Sequence, residues 1–128
     1  MAALIYLDTH VAAWLFAGRT GLLTPGARQL LDESDLLISP AVVLELQYLF
    51  EIRRVEEPAA VVVEALGRDL GVRVCTLPFY GVVEVALGQS WTRDPFDRLI
   101  ASQAMLRDLP LLTRDGDLRD HCHRAVWP

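Results

Sequence analysis

Four acidic residues stand where a carboxylate is either a liability or a tool: Asp8, Glu45, Asp97 and Asp115. Asp8 directly follows the apolar run Leu4-Ile5-Tyr6-Leu7, and Asp115 follows Leu111-Leu112 after Thr113-Arg114. Alone, each reads as a turn or cap aspartate; two apolar runs ending the same way point to a shared task. Glu45 falls in a helical stretch whose polar stripe is Gln47, Glu51 and Arg54. It lies about 200° round the helix from Gln47, among Ala41, Val42 and Leu49. A carboxylate on a buried face is costly unless an arginine or a metal pairs with it. In Asp94-Pro95-Phe96-Asp97, Asp94 suits the N-cap, Pro95 the first helical position, and Asp97 the third, where the helix dipole favours an acid. Asp97 also aligns with Ala101 and Ala104 on a face of small residues fit for close packing. That points Asp97 inward and leaves Asp94 as the structural cap.

Four carboxylates on one edge would repel one another unless cations bind between them. Hard oxygen donors suit Mg2+ or Mn2+ rather than zinc, and the chemistry that follows is phosphoryl hydrolysis. The sequence has no phosphate-binding GxxxxGK[ST] or GxGxxG loop, and no Ser-His-Asp or Cys-His arrangement competes. Arg93, Arg98 and Arg114 flank the acid-bearing segments, as forks for phosphate oxygens or as counter-ions for the acids.

The elements that must carry these residues follow from periodicity and punctuation. Leu4–Leu7 reads as a strand, after which Thr9 can cap a helix from His10 to about Ala17. Thr24-Pro25 opens a helix to about Glu33, Leu36–Ile38 is a strand, and Ser39-Pro40 begins a helix to about Val55. Glu57-Pro58 begins another, ending near Gly71. Val72–Leu77 alternates like a strand, Pro78 starts a helix to about Gly88, and Asp94-Pro95 one to about Leu109. Pro110–Thr113 is a further apolar run, and Arg124–Trp127 suits a last strand. Strands alternating with helices imply a three-layer α/β/α sandwich with a mostly parallel central sheet, its central strands continuously apolar. Ligands of such sheets bind beyond the carboxyl ends of the strands, where the acids fall.

Composition sets the outer limits. The 128 residues suit one domain, 1–128, and 52% hydrophobic content with 23% charged residues excludes a disordered chain. The start is too short for a signal peptide and no run reaches bilayer length, so a cytoplasmic protein without a membrane partner is expected. All 12 basic residues are arginine, and the net charge of −5 does not suit electrostatic wrapping of nucleic acid. A metal-assisted nuclease remains open, because the metal supplies positive charge at the phosphate. Cys75 reads as a buried small hydrophobe. His121-Cys122-His123 is too tightly spaced for an ordinary zinc site.

Four segments taken together resemble a known family. Ile5-Tyr6-Leu7-Asp8-Thr9-His10-Val11-Ala12-Ala13-Trp14-Leu15 is similar to the opening of a PIN domain of the VapC toxin group, and Ser39-Pro40-Ala41-Val42-Val43-Leu44-Glu45 to its second acidic segment. Asp94-Pro95-Phe96-Asp97-Arg98-Leu99-Ile100-Ala101-Ser102-Gln103-Ala104 is the most specific match; Leu111-Leu112-Thr113-Arg114-Asp115 resembles the closing segment. The resemblance implies a Mg2+- or Mn2+-dependent ribonuclease cleaving single-stranded RNA, a toxin held by a cognate antitoxin and commonly a homodimer. Asp8, Glu45 and Asp97 fall on its three acid positions. The fourth is Asp115 or Asp117, with Asp115 preferred. Thr9 and Thr113 fall on hydroxyl positions beside the site, where each could bond a carboxylate or a coordinated water.

Rival readings are a haloacid-dehalogenase-like phosphatase, a phospho-receiver domain, a degenerate PIN-like binding module and a DNA-directed nuclease. The first two usually place a lysine near the phosphate, and this sequence has none. Retention of all four acids weighs against degeneracy. Apolar side chains on the early helices (Val11, Trp14, Leu15, Phe16, then Tyr48, Leu49, Phe50, Ile52) could leave a groove for an amphipathic antitoxin helix.

Overall fold

A computed structural model describes residues 2–128. Five strands, β1 (Ala3–Leu7), β2 (Ser34–Ile38), β3 (Arg73–Val74), β4 (Leu111–Leu112) and β5 (Ala125–Val126), pair in the order β3-β2-β1-β4-β5. Every pairing is parallel. Ile5, Tyr6 and Leu7 in β1 are successive and all buried, as are Leu36, Leu37 and Ile38 in β2. Neighbouring strand residues face opposite sides of a sheet, so both faces are covered and the layers are α/β/α.

Among the described residues seven α-helices link the strands: α1 (Thr9–Ala17), α2 (Pro25–Glu33), α3 (Pro40–Glu51), α4 (Ala59–Leu70), α5 (Phe79–Leu87), α6 (Pro95–Arg107) and α7 (Gly116–His121). Thr24, Ser39 and Asp94 each cap a helix with proline in its first turn, as their sequence grammar requires. The chain leaves β1 toward β2 and β3, then crosses back to place β4 on the other side of β1. The carboxyl ends of β1 and β4 therefore flank a topological switch point, where open α/β sheets form their crevice.

Several boundaries differ from the sequence expectation. Asp8, not Thr9, is the N-cap of α1: its backbone is extended and its side chain accepts from the Thr9 N–H. The long helix from Pro40 stops at Glu51 rather than Val55, with Arg53 turned to φ 62°. Asp108 likewise ends α6 at φ 53°, short of Leu109. Ladder pairing reduces Val72–Leu77 to Arg73–Val74 at the sheet edge, although the Cys75 N–H still reaches Ile38 O at 2.9 Å. The short helix α7 was not anticipated, since only Leu118 in it is buried. Gln47 is more than surface: its Oε1 accepts from the Ala59 N–H at 3.1 Å and satisfies the start of α4.

Candidate active site

Asp8 is set by the sheet itself. Its N–H extends the ladder to Leu112 O at 3.1 Å, which fixes it beside the exit of β4. There Thr113, fully buried, donates from Oγ1 to Asp8 Oδ2 at 2.6 Å and accepts from the Asp115 N–H at 3.0 Å. One hydroxyl thus ties the two strand ends together. Asp8 Oδ1 accepts from the Thr9 N–H at 2.7 Å, so both carboxylate oxygens are held although the residue is only 5% exposed. Asp115 caps α7, with Oδ1 accepting from the Leu118 N–H at 2.9 Å.

The other two acids arrive on helices. Thr9, the first residue of α1, donates its hydroxyl to Glu45 Oε1 on α3. That bond gives Glu45 a partner that is neither the arginine nor the metal its apolar helix face required. Asp94 caps α6, its Oδ1 accepting from the N–H groups of Phe96 and Asp97 at 2.8 and 3.2 Å. The Asp97 carboxylate is left half-buried, and α3 packs against α6.

Electrostatics shows that these groups share one field. Burial pushes Asp97 from an ordinary 3.8 up to about 7, helped by the charges of Asp94, Asp8, Asp115 and Glu45. Burial also raises Asp8 and Glu45; the bonds from Thr113 and Thr9 oppose the rise on Asp8, and Thr9 does so on Glu45. His10 lowers both. From the closing segment it is Asp115 that acts on Asp8 and Asp97, whereas Asp117 lies inside α7 with its carbonyl against His121 Nδ1 at 3.0 Å.

The three flanking arginines separate. Arg98 donates to Thr92 O at 2.9 Å and Ala86 O at 3.4 Å, and Arg93 to Ser90 O at 2.8 Å, so both are occupied with backbone. Arg114 lies over the Trp14 ring, its guanidinium carbon 4.6 Å from the centroid. Among the described residues the ion pairs are Arg68–Asp69 and Arg124–Asp108, so none of the three neutralises an acid by contact.

A concavity of about 190 Å³ at this edge is lined by Asp8, His10, Trp14, Arg114 and Asp115. Sequence reasoning passed over His10 and put Trp14 in an apolar groove. Their four-residue spacing on one helix face was the available signal. It also passed over Trp91, whose ring stacks on His121 at 4.9 Å and joins the loop before Asp94 to α7. Of the triplet, Cys122 is buried while His121 and His123 are exposed.

Residues 5–123 match the PIN domain family. The chain belongs to the PIN-domain family, among its VapC-type members. It is 33% identical to ribonuclease VapC22 of Mycobacterium tuberculosis, a match covering 96% of this chain and 98% of that protein. In the crystal structure of VapBC2 from Rickettsia felis, bound to a DNA fragment from their promoter, one chain shares the fold. The TM-score is 0.63 at 17% identity, covering 92% of each chain.

The donor set of this PIN domain suits a hard divalent cation: carboxylates come from four segments, Asp8, Glu45 and Asp97 are raised by burial and then by neighbouring acids, and among the described residues none of the four is in an ion pair. As the side chains stand, no three acidic, histidine or cysteine groups among the described residues form a ready ligand shell. Glu45 and Asp8 are instead held by threonine hydroxyls.

Proposed function

We propose that this protein is a Mg2+- or Mn2+-dependent endoribonuclease that cleaves single-stranded RNA, acting as the toxin of a toxin–antitoxin pair. The observation that carries the reading is the convergence of acids at the switch point of the sheet: Thr113 bonds both Asp8 and Asp115, Thr9 joins Glu45 to the start of α1, and burial, then the neighbouring acids, raises Asp97. An arrangement so costly without a partner is a binding site for positive charge. Asp8, Glu45, Asp97 and Asp115 would hold the cation, and Asp115 is preferred to Asp117 because its charge reaches the other acids. The chemistry such a cation would supply when bound is Lewis acidity toward a phosphoryl oxygen and a lowered pKa for a water nucleophile.

The chain's own residues do the rest. Thr113 and Thr9 keep Asp8 and Glu45 ionisable by donating to them, which opposes the pull of burial toward the neutral acids. Arg114 is the flanking arginine left to meet a phosphate oxygen, since Arg93 and Arg98 donate to backbone carbonyls. The name of the relative VapC22 supports RNA as the substrate.

For the partner, Leu15, Leu23, Leu31, Leu36 and Leu70 line a cavity of about 590 Å³ rimmed by Arg28, Asp32 and Asp69. This receives an amphipathic antitoxin helix. Leu44 and Tyr48 on α3, with Ile52 at its C-cap, form an exposed stripe suited to a second copy of the chain. Among the described residues no helix is long and apolar enough to cross a membrane.

The decisive experiment incubates purified protein with single-stranded RNA, single-stranded DNA and a phosphomonoester, with Mg2+, Mn2+ or chelator. Metal-dependent cleavage of RNA alone is expected. Cleavage of DNA, release of phosphate, or inactivity throughout would each replace the reading with one of its rivals. Failure of the adjacent upstream open reading frame's product to co-purify would remove the antitoxin while leaving the nuclease.

A further inference from the structure

We propose that Trp14 and Trp127 form an aromatic seat that holds Arg114 at the acid edge as a contact for the RNA phosphate, so that both tryptophans are positioning residues. The inference rests on the ribonuclease reading above and adds to it the parts of the chain that set where its substrate-facing cation stands.

Arg114 is otherwise a long, exposed side chain on a strand exit, free to sample many rotamers. Its guanidinium carbon lies 4.6 Å from the centre of the Trp14 ring, inside the range of cation–π attraction. Stacking uses the face of the guanidinium and leaves its edge N–H donors for an oxyanion. Among the described residues Arg114 makes neither an ion pair nor a side-chain hydrogen bond, in contrast to Arg93 and Arg98. It lines one concavity with Asp8 and Asp115, so a phosphate held by it lies against the acids.

The seat is built from both ends of the sequence. Trp14 lies on α1, the helix that Asp8 caps. Trp127 meets Trp14 edge-on, centroids 6.3 Å apart at 66°. Trp127 follows β5, whose partner β4 runs straight into Thr113-Arg114-Asp115, and the Thr113 N–H bonds Val126 O at 3.1 Å. Arg114 is therefore placed twice by segment 125–127: through its backbone by the β4–β5 ladder, and through its side chain by Trp127 behind Trp14. The next residue, Pro128, accepts the Thr24 hydroxyl and lies against Gly26, where an added Cβ would come within 2.9 Å of its carbonyl carbon. That clasp keeps the segment seated.

The test measures binding of a single-stranded RNA oligonucleotide across a salt series in an Asp97→Asn background, for Arg114→Ala, Trp14→Leu, Trp127→Leu and the double variant Arg114→Ala/Trp14→Leu. Arg114→Ala is expected to weaken binding about fivefold. It should flatten the salt slope by ~0.7, the loss of one single-strand phosphate contact. Trp14→Leu and Trp127→Leu should reproduce part of both effects, Trp127→Phe should restore them, and the double variant should be no weaker than Arg114→Ala alone. In otherwise unmodified enzyme Trp127→Leu should raise KM more than it lowers kcat. Tryptophan variants that only lower Tm, or whose losses add to that of Arg114→Ala, would overturn the seat. A parent protein that cleaves RNA with a salt slope indifferent to Arg114 defeats this inference alone. One that neither binds nor cleaves RNA defeats the ribonuclease reading with it.

Discussion

Two polar clusters are set into this apolar sheet, and they are finished differently. One joins Tyr6, Cys75, Gln103 and Arg107: the Tyr6 hydroxyl donates to Cys75 Sγ at 3.2 Å and accepts from Gln103 Nε2 and Arg107 Nη1 at 3.5 and 3.4 Å. Burial and the bond to Cys75 lift Tyr6 to about 12, so the hydroxyl stays a neutral donor. The other is the acid edge, where hydroxyls and N–H groups bond Asp8, Glu45 and Asp115 but, among the described residues, no ion pair answers the charge. The first cluster carries its own arginine, although Gln103 Oε1 in it has no hydrogen-bond partner among the described residues; in the second Asp8 has both carboxylate oxygens held, and its charge has no matching ion pair. Packing alone tolerates the first, whereas the second has a physical reason to exist only when something positive arrives.

The contrast can be broken most severely at the acids. Asp8→Asn and Asp97→Asn should each reduce RNA cleavage by at least ~100-fold, since even outer-shell partners of a metal site are worth 10–100-fold. Circular dichroism should be unchanged, because asparagine still caps α1 at position 8. Activity within a factor of a few of the parent would remove these residues from the site.

Thr113→Val tests the hydroxyl that serves both strand ends. It should cost about 10–100-fold in activity by freeing Asp8 Oδ2 and the Asp115 N–H. An unchanged rate would make this hydroxyl a structural tie only.

Stability without metal gives a subtler reading. The folded chain keeps the Asp97 proton up to about pH 7, whereas the unfolded chain releases it near 3.8. Stability is therefore lost as pH rises through that window, and the loss is complete above it. Asp8 and Glu45, both raised, add in the same direction. Asp97→Asn should accordingly raise the metal-free Tm at pH 8 by about 3–6 °C, the equivalent of ~1 kcal/mol. At pH 5, about a third of the way through the window, the rise should be about a third as large, and Glu45→Gln should follow the same pattern. A lower Tm at pH 8 in calorimetry would show that the acids do not repel.

The smallest effect belongs to the self-contained cluster. Tyr6→Phe should destabilise by about 1 kcal/mol, read by chemical denaturation, with cleavage unaltered. A fall in activity would mean that the two clusters communicate through β1.

Much of the site was legible because its signals are local. Asp94-Pro95-Phe96-Asp97 encodes cap, first turn and inward acid within four residues, and Asp8 and Asp115 follow apolar runs that could only be strands. Glu45 was found by its helix face. Where a single residue decided the outcome, local grammar misassigned it. Thr9 suits an N-cap as well as Asp8 does, and only the position of Glu45 in space drew its hydroxyl away. Helix α7 escaped because six residues with one buried side chain carry no periodicity. Arg53 and Asp108 end their helices at positive φ without the glycine that usually announces it.

By itself the sequence determined the alternation of strands and helices, the apolar continuity of β1, and which acids stand at strand ends or on apolar helix faces, since each follows from periodicity and punctuation along the chain. Tertiary structure alone decided the strand order that sets β4 beside β1, and hence the meeting of Asp8 with Thr113 and Asp115 across more than 100 residues of sequence. It also decided that Trp14, Arg114 and Trp127 share one place. The reason is physical: spacing along a chain reports which face a residue occupies, but the partner on that face comes from another element, and only the packed sheet brings the two together.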